Sequence, residues 1–108
     1  MPEHDESEPE PTTEEIDRSV GPVLLEFGAT WCPYCKALAP RLAGFLRAFP
    51  GVRHVKVEDG PGQPLGRSFR VKLRPNLVFL RDGQVIAQLA RPEAEQVRAA
   101  LERITQQK

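Results

Sequence analysis

The sequence predicts an α/β domain built on a mixed sheet of four strands, or five if the N-terminal segment supplies one, with helices on both faces. Three observations carry this. Residues 23–27 (VLLEF) form a short apolar run between Gly21-Pro22 and Gly28, which suits a strand buried on both sides. Leu38, Leu42, Phe45 and Phe49 then recur at three- and four-residue spacing, the mark of an amphipathic helix. Finally, residues 77–80 (LVFL) and 85–87 (VIA) flank Asp82-Gly83, the signature of a tight hairpin.

The elements follow in order. Residues 1–11 are acidic and Pro-bearing and are expected to be a disordered tail, leaving 12–108 as the one domain. Thr12 or Thr13 can cap a short helix with Glu14 and Glu15 in its first turn. The strand at 23–27 leads to a helix over 33–49, which Pro40 should kink and Pro50-Gly51 should stop. A second strand is expected over 52–57, a loop from 58 to 66, a short helix over 65–69, and then the hairpin. The last helix starts near Pro92 and Glu93 with Val97, Leu101 and Ile104 inward.

Composition narrows the function. A chain of 108 residues has room for one core and buries roughly 60–70% of its unfolded surface. No apolar run approaches the ~20 residues of a membrane span, and the acidic start does not resemble a secretory leader, so a cytoplasmic location is expected. Net charge is zero, yet residues 1–17 hold eight carboxylates and no Lys or Arg, which leaves the rest of the chain strongly basic. No basic and aromatic residues interleave as single-stranded nucleic acid would require, so neither nucleic acid nor membrane is an expected partner. Nothing marks an oligomer, and a monomer is expected.

The two cysteines, Cys32 and Cys35, stand three apart. So short a loop removes little entropy from the unfolded chain, so stability does not explain them. A zinc site would need two further ligands, and only His4 and His54 are on offer, without ligand spacing. Placement is more informative. Cys32 follows an apolar strand and opens a helix, with Pro33 in the first turn where it is tolerated. Free N–H groups and the helix dipole there favour a thiolate, the attacking species in disulfide exchange. Cys35, one turn on, can attack the resulting mixed disulfide. No metal and no cofactor beyond this redox-active pair are expected.

From Val23 to Ile104 the chain resembles the thioredoxin family. The strand at 23–27 precedes Ala29-Thr30-Trp31-Cys32, and residues 35–40 (CKALAP) match the active-site helix with its proline. Residues 55–59 (VKVED) resemble the next strand; Arg74-Pro75 falls at the family's cis-proline and Asp82-Gly83 at its hairpin turn. The resemblance implies a protein-disulfide reductase with Cys32 as nucleophile and Cys35 as resolving thiol. It implies that Glu26 exchanges the proton of Cys35, with Lys56 as its partner. Trp31, Pro33, Tyr34, Arg74 and Pro75 would form the surface that docks an extended, disulfide-bearing protein segment. An external reductant, such as thioredoxin reductase or glutathione, would recharge the pair.

Four features depart from the family pattern. Pro-Tyr stands between the cysteines where Gly-Pro is usual, as in glutaredoxins. Arg74 precedes the proline, where a cation would stabilise the Cys32 thiolate, recognise an acidic group, or point to solvent. Ala90 stands near a usual glycine of the docking groove, and no first strand is evident. Leu73-Arg74 and residues 81–83 (RDG) replace the glutathione-holding motifs of glutaredoxins. Alternatives left open are a more oxidising or glutathione-linked oxidoreductase and a binding module on the same fold.

Overall fold

The central strand carries an alternation that decides the architecture. The computed structural model describes residues 10–29, 31–58 and 64–106, and places β1 over Pro22–Gly28. Its side chains point alternately to opposite faces. Leu24 packs on Leu38, Leu42 and Leu77 on one face, and Val23, Leu25 and Phe27 join Ile16, Val57 and Leu65 on the other. Each face needs a helical cover, and the chain supplies both.

Before β1 comes α1 (Thr13–Asp17). Thr12 accepts the N–H of Glu15, and the Glu15 carboxylate accepts the N–H of Thr12, a reciprocal cap that satisfies two otherwise orphaned donors. After β1, α2 (Pro33–Ala48) runs through Pro40 as one helix and presents Cys35, Leu38 and Leu42 inward. Then come β2 (Arg53–Glu58), α3 (Pro64–Ser68), β3 (Asn76–Arg81), β4 (Gln84–Ala90) and α4 (Ala94–Thr105). The tail expected to be disordered lies outside the described residues up to residue 9, as do residues 59–63 of the expected loop.

Among the described residues the sheet has four strands in the order β2-β1-β3-β4. The β1–β2 pair is parallel and the other two pairs are antiparallel. Helices α2 and α4 cover one face, α4 through Val97, Ala100, Leu101 and Ile104. Burying each such side chain contributes about 1.5–3 kcal/mol. Helices α1 and α3 cover the other face through Ile16 and Leu65.

The β3–β4 turn is Asp82-Gly83, both at positive φ (51° and 81°), the backbone hand that matches strand twist. Asp82 also grips the start of β1: its carboxylate accepts the N–H of Gly21 at 2.8 Å, and its own N–H donates to the Gly21 carbonyl at 3.1 Å. That clip lies at the N-terminal end of β1. The cysteines follow the other end, so the site and the hairpin turn are held apart by the length of the strand.

Candidate functional site

The end of β1 and the start of α2 deliver the cysteines. Cys32 is the N-cap of α2 with extended backbone (φ −82°, ψ 118°), and its sulfur accepts the backbone N–H of Cys35 at 3.3 Å. Pro33 follows at the first helical position, where its missing N–H costs nothing. Both sulfurs are free thiols in mostly buried residues. Gly28 makes room for the second: a Cβ there would lie 3.2 Å from the Cys35 sulfur.

The two thiols differ in acidity. Burial pushes Cys32 up, but hydrogen bonds from the Cys35 thiol and from the backbone of Cys35 and Tyr34, with the Arg91 charge, together hold it below its ordinary 9.0. Burial pushes Cys35 the same way, the hydrogen bond to Cys32 adds to it, and the charges of Cys32 and Glu26 complete a rise to about 11. One thiol gives up its proton more readily than an ordinary cysteine, and its neighbour holds its own more tightly.

The rim is aromatic and cationic. Trp31 and Tyr34 are 62% and 56% exposed, unusual for rings of their size. Each ring carries a guanidinium: Arg74 lies 5.1 Å from the Trp31 centroid and Arg91 lies 4.0 Å from that of Tyr34. The Arg74–Pro75 bond is cis. The Arg74 carbonyl faces the Cys32 thiol at 3.9 Å and accepts from Arg91 Nε at 2.8 Å, while the Arg91 N–H donates to the Pro75 carbonyl at 2.8 Å.

The structure thus brings Cys32, Cys35, Trp31, Pro33, Tyr34, Arg74 and Pro75 to one end of the sheet. It corrects one expected partnership. Glu26, 7% exposed in the middle of β1, pairs with His54, whose Nε2 lies 2.7 Å from its Oε1. Lys56 stands opposite Glu26 in the strand register but is exposed. An ammonium on a long stem keeps to water, whereas an imidazole can be half-buried at little cost. Of the roles open to Arg74, the structure shows its guanidinium against the Trp31 ring, and the charge of Arg91 also favours the Cys32 thiolate.

His54 and Arg91 are the two site residues that sequence reasoning missed. His54 shares strand parity with Lys56, which was available as a signal. Arg91 adopts φ 49° just after β4, and no motif announces that geometry. Among the described residues, no group of three or more His, Cys, Asp or Glu could hold a metal ion.

A family model for thioredoxin matches residues 6–103. The chain belongs to the thioredoxin family. Thioredoxin of Haemophilus influenzae is 39% identical over 67 residues, which is 61% of this chain and 63% of that protein. Thioredoxin-2 of Pyricularia oryzae is 34% identical over 64 residues, 59% of this chain and 37% of that one. The matched stretch spans 37%, 54% and 61% of the first three curated relatives. Among solved structures, reduced thioredoxin 2 from Pseudomonas aeruginosa PAO1 superposes with a TM-score of 0.76 at 50% identity, covering 87% of this chain and 88% of that one. Oxidised mitochondrial thioredoxin 3 from Saccharomyces cerevisiae gives 0.75 at 25% identity, covering 82% and 84%. The thioredoxin fold, a four-stranded mixed sheet between two helical layers, is what these structures share with the chain.

Proposed function

We propose that this thioredoxin-family chain is a thiol–disulfide oxidoreductase that reduces disulfides in other proteins. The observation that carries the reading is the split between the thiols: Cys32 caps α2 with its acidity increased, and Cys35 is held protonated one turn away. The Cys32 thiolate attacks a substrate disulfide, forming one S–S bond to the substrate and expelling the other substrate sulfur as a thiolate, which takes a proton from water. Cys35 gives its proton to the Glu26 carboxylate and attacks the Cys32 sulfur. This closes the Cys32–Cys35 disulfide and releases the second substrate thiolate. Two electrons pass from the pair to the substrate, and an external reductase of the thioredoxin-reductase kind, or glutathione, returns them.

Trp31, Tyr34 and the edge at Arg74 and Pro75 form the docking surface in this reading, supported by their exposure beside Cys32. The proposed compartment is the cytoplasm, where thiols are kept reduced. The test is substitution of the second thiol. Cys35→Ser should accumulate stable mixed disulfides with disulfide-bearing proteins, and a double Cys→Ser variant should accumulate none. Retention of the same partners by the double variant would instead establish a binding module.

The second reading, a more oxidising member of the class, turns on the thiolate. The Arg91 charge and the capping N–H groups stabilise the reduced, anionic form of Cys32. An equilibrium potential near about −270 mV marks a reductant, and one at or above about −200 mV marks the oxidising variant.

A further inference from the structure

Glu26 is buried, and its proton must come from and return to water if it serves Cys35. Its carboxylate is 9% exposed, while the side chain it touches, His54, is 25% exposed. The contact is a 2.7 Å hydrogen bond between His54 Nε2 and Glu26 Oε1. An imidazole has two ring nitrogens, so it can accept a proton at one and yield one at the other, and histidine is the side chain whose ordinary charge change falls between about pH 5 and 8. The sheet geometry makes the contact reproducible: β1 and β2 pair in parallel with Leu24 opposite His54, so His54 and Glu26 sit on the same face one step apart.

We propose that His54 is the positioning and proton-exchange partner of Glu26, carrying the proton of Cys35 between the buried carboxylate and solvent as the mixed disulfide resolves. The inference rests on the dithiol-exchange reading above. In the step, the Cys35 S–H bond breaks and its proton moves to Glu26, while the sulfur attacks Cys32 and the substrate sulfur leaves with its electron pair. Glu26 then passes the proton to one ring nitrogen of His54, and the other yields one to water. The reverse sequence protonates Cys35 when the disulfide is reduced.

The charged and titratable neighbours do not offer a competing route. Lys56, two residues along β2 on the same face, is exposed and keeps its ammonium in water. Helix α2 carries Cys35, on which the Glu26 charge acts, and its charged side chains Lys36, Arg41 and Arg47 are exposed. Strand β3 contributes Leu77 and Phe79 to this face, neither titratable. Helix α4 contributes Val97, Ala100, Leu101 and Ile104.

The reaction with 5,5′-dithiobis(2-nitrobenzoate) separates the steps in the full chain. The first equivalent of coloured thiolate reports attack by Cys32, and the second reports resolution by Cys35. His54→Gln keeps a hydrogen-bonding side chain but cannot carry a proton. The expected result is an unchanged first phase and a second phase slowed roughly tenfold near neutral pH, below the 10²–10⁴ of a complete general base. Free imidazole should accelerate the variant's second phase and leave that of the unsubstituted protein alone. Identical second phases, or equal slowing of both phases, overturn the proposal. Absence of a second phase in the unsubstituted protein would overturn the oxidoreductase reading instead.

Discussion

The sulfur of Cys32 accepts the backbone N–H of Cys35 at 3.3 Å, so the nucleophile caps the helix that carries its own resolving partner. The hydrogen bond that closes the first turn of α2 helps lower the proton affinity of Cys32, while burial and the thiol–thiol hydrogen bond raise that of Cys35. Acidity follows from the fold here, and its consequences can be measured directly.

Alkylation should therefore be sequential. At neutral pH iodoacetamide should modify Cys32 and spare Cys35, whose thiol persists to about 11. In Cys32→Ser the thiol hydrogen bond and charge that raise Cys35 are gone, so its alkylation should begin at lower pH. Stability of the reduced protein should follow with opposite signs. The lowered Cys32 contributes stability that is fully present above its ordinary 9.0 and is lost as pH falls through its folded value. Cys35 is raised, so the folded state holds a proton that the unfolded state has lost, and stability declines from about 9.0 to about 11. Urea midpoints across that alkaline range check the second sign; a midpoint that climbs there refutes it.

Gly28→Ala should act on Cys35 alone. The added Cβ would sit 3.2 Å from the Cys35 sulfur and 3.7 Å from its Cβ, so the thiol must shift by a few tenths of an ångström. A cost of about 1–2 kcal/mol is expected for such crowding. Resolution of a mixed disulfide should slow while attack by Cys32 keeps its rate. Two unaltered phases in the two-step thiol assay would show that Cys35 has room to yield.

The local features of this site were legible in the sequence and the non-local ones were not. The spacing Cys32-Pro33-Tyr34-Cys35 after an apolar strand gave the helix N-terminus, because a helix start is written within a few residues. Asp82-Gly83 gave the hairpin for the same reason. The partner of Glu26 depended on a pairing between residues 28 apart, and on which of two same-face side chains reaches inward. Alternation narrows that choice to His54 or Lys56, and only packing decides between them. Arg91 was hidden more deeply, since its place beside Tyr34 depends on a left-handed backbone (φ 49°) and on the Arg74 and Pro75 carbonyls.

Arg91→Gly should expose that hidden contribution. Glycine tolerates φ 49°, so the substitution removes the guanidinium without demanding a new backbone. Cys32 should then titrate closer to 9.0, followed by thiolate absorbance. Attack on a small disulfide at neutral pH should slow about 1.4- to fivefold, the scale of an exposed charge worth ~0.2–1 kcal/mol. High salt should shrink the difference between the two proteins, because exposed charges are screened. A difference that persists at high salt would assign the effect to the Arg91–Arg74 hydrogen bond rather than to charge.

Gly83→Ala should destabilise the fold while sparing the chemistry. Gly83 has φ +81°, and a Cβ there would lie 2.1 Å from the Asp17 carbonyl oxygen and 2.8 Å from its carbon. Both partners are backbone, so neither can swing aside. Backbone strain and overpacking together should cost about 2–4 kcal/mol, a large share of the ~5–15 kcal/mol by which such domains are stable. Gly21→Ala is the matched control: its φ is +82°, but nothing lies within 4 Å of the added Cβ, so only strain remains, about 1–2 kcal/mol. Urea unfolding should rank Gly83→Ala below Gly21→Ala, and equal losses would mean that the close approach to Asp17 relaxes without cost. Thiol reactivity should match the unsubstituted protein in both variants, because the turn clips the start of β1 and the cysteines follow its far end.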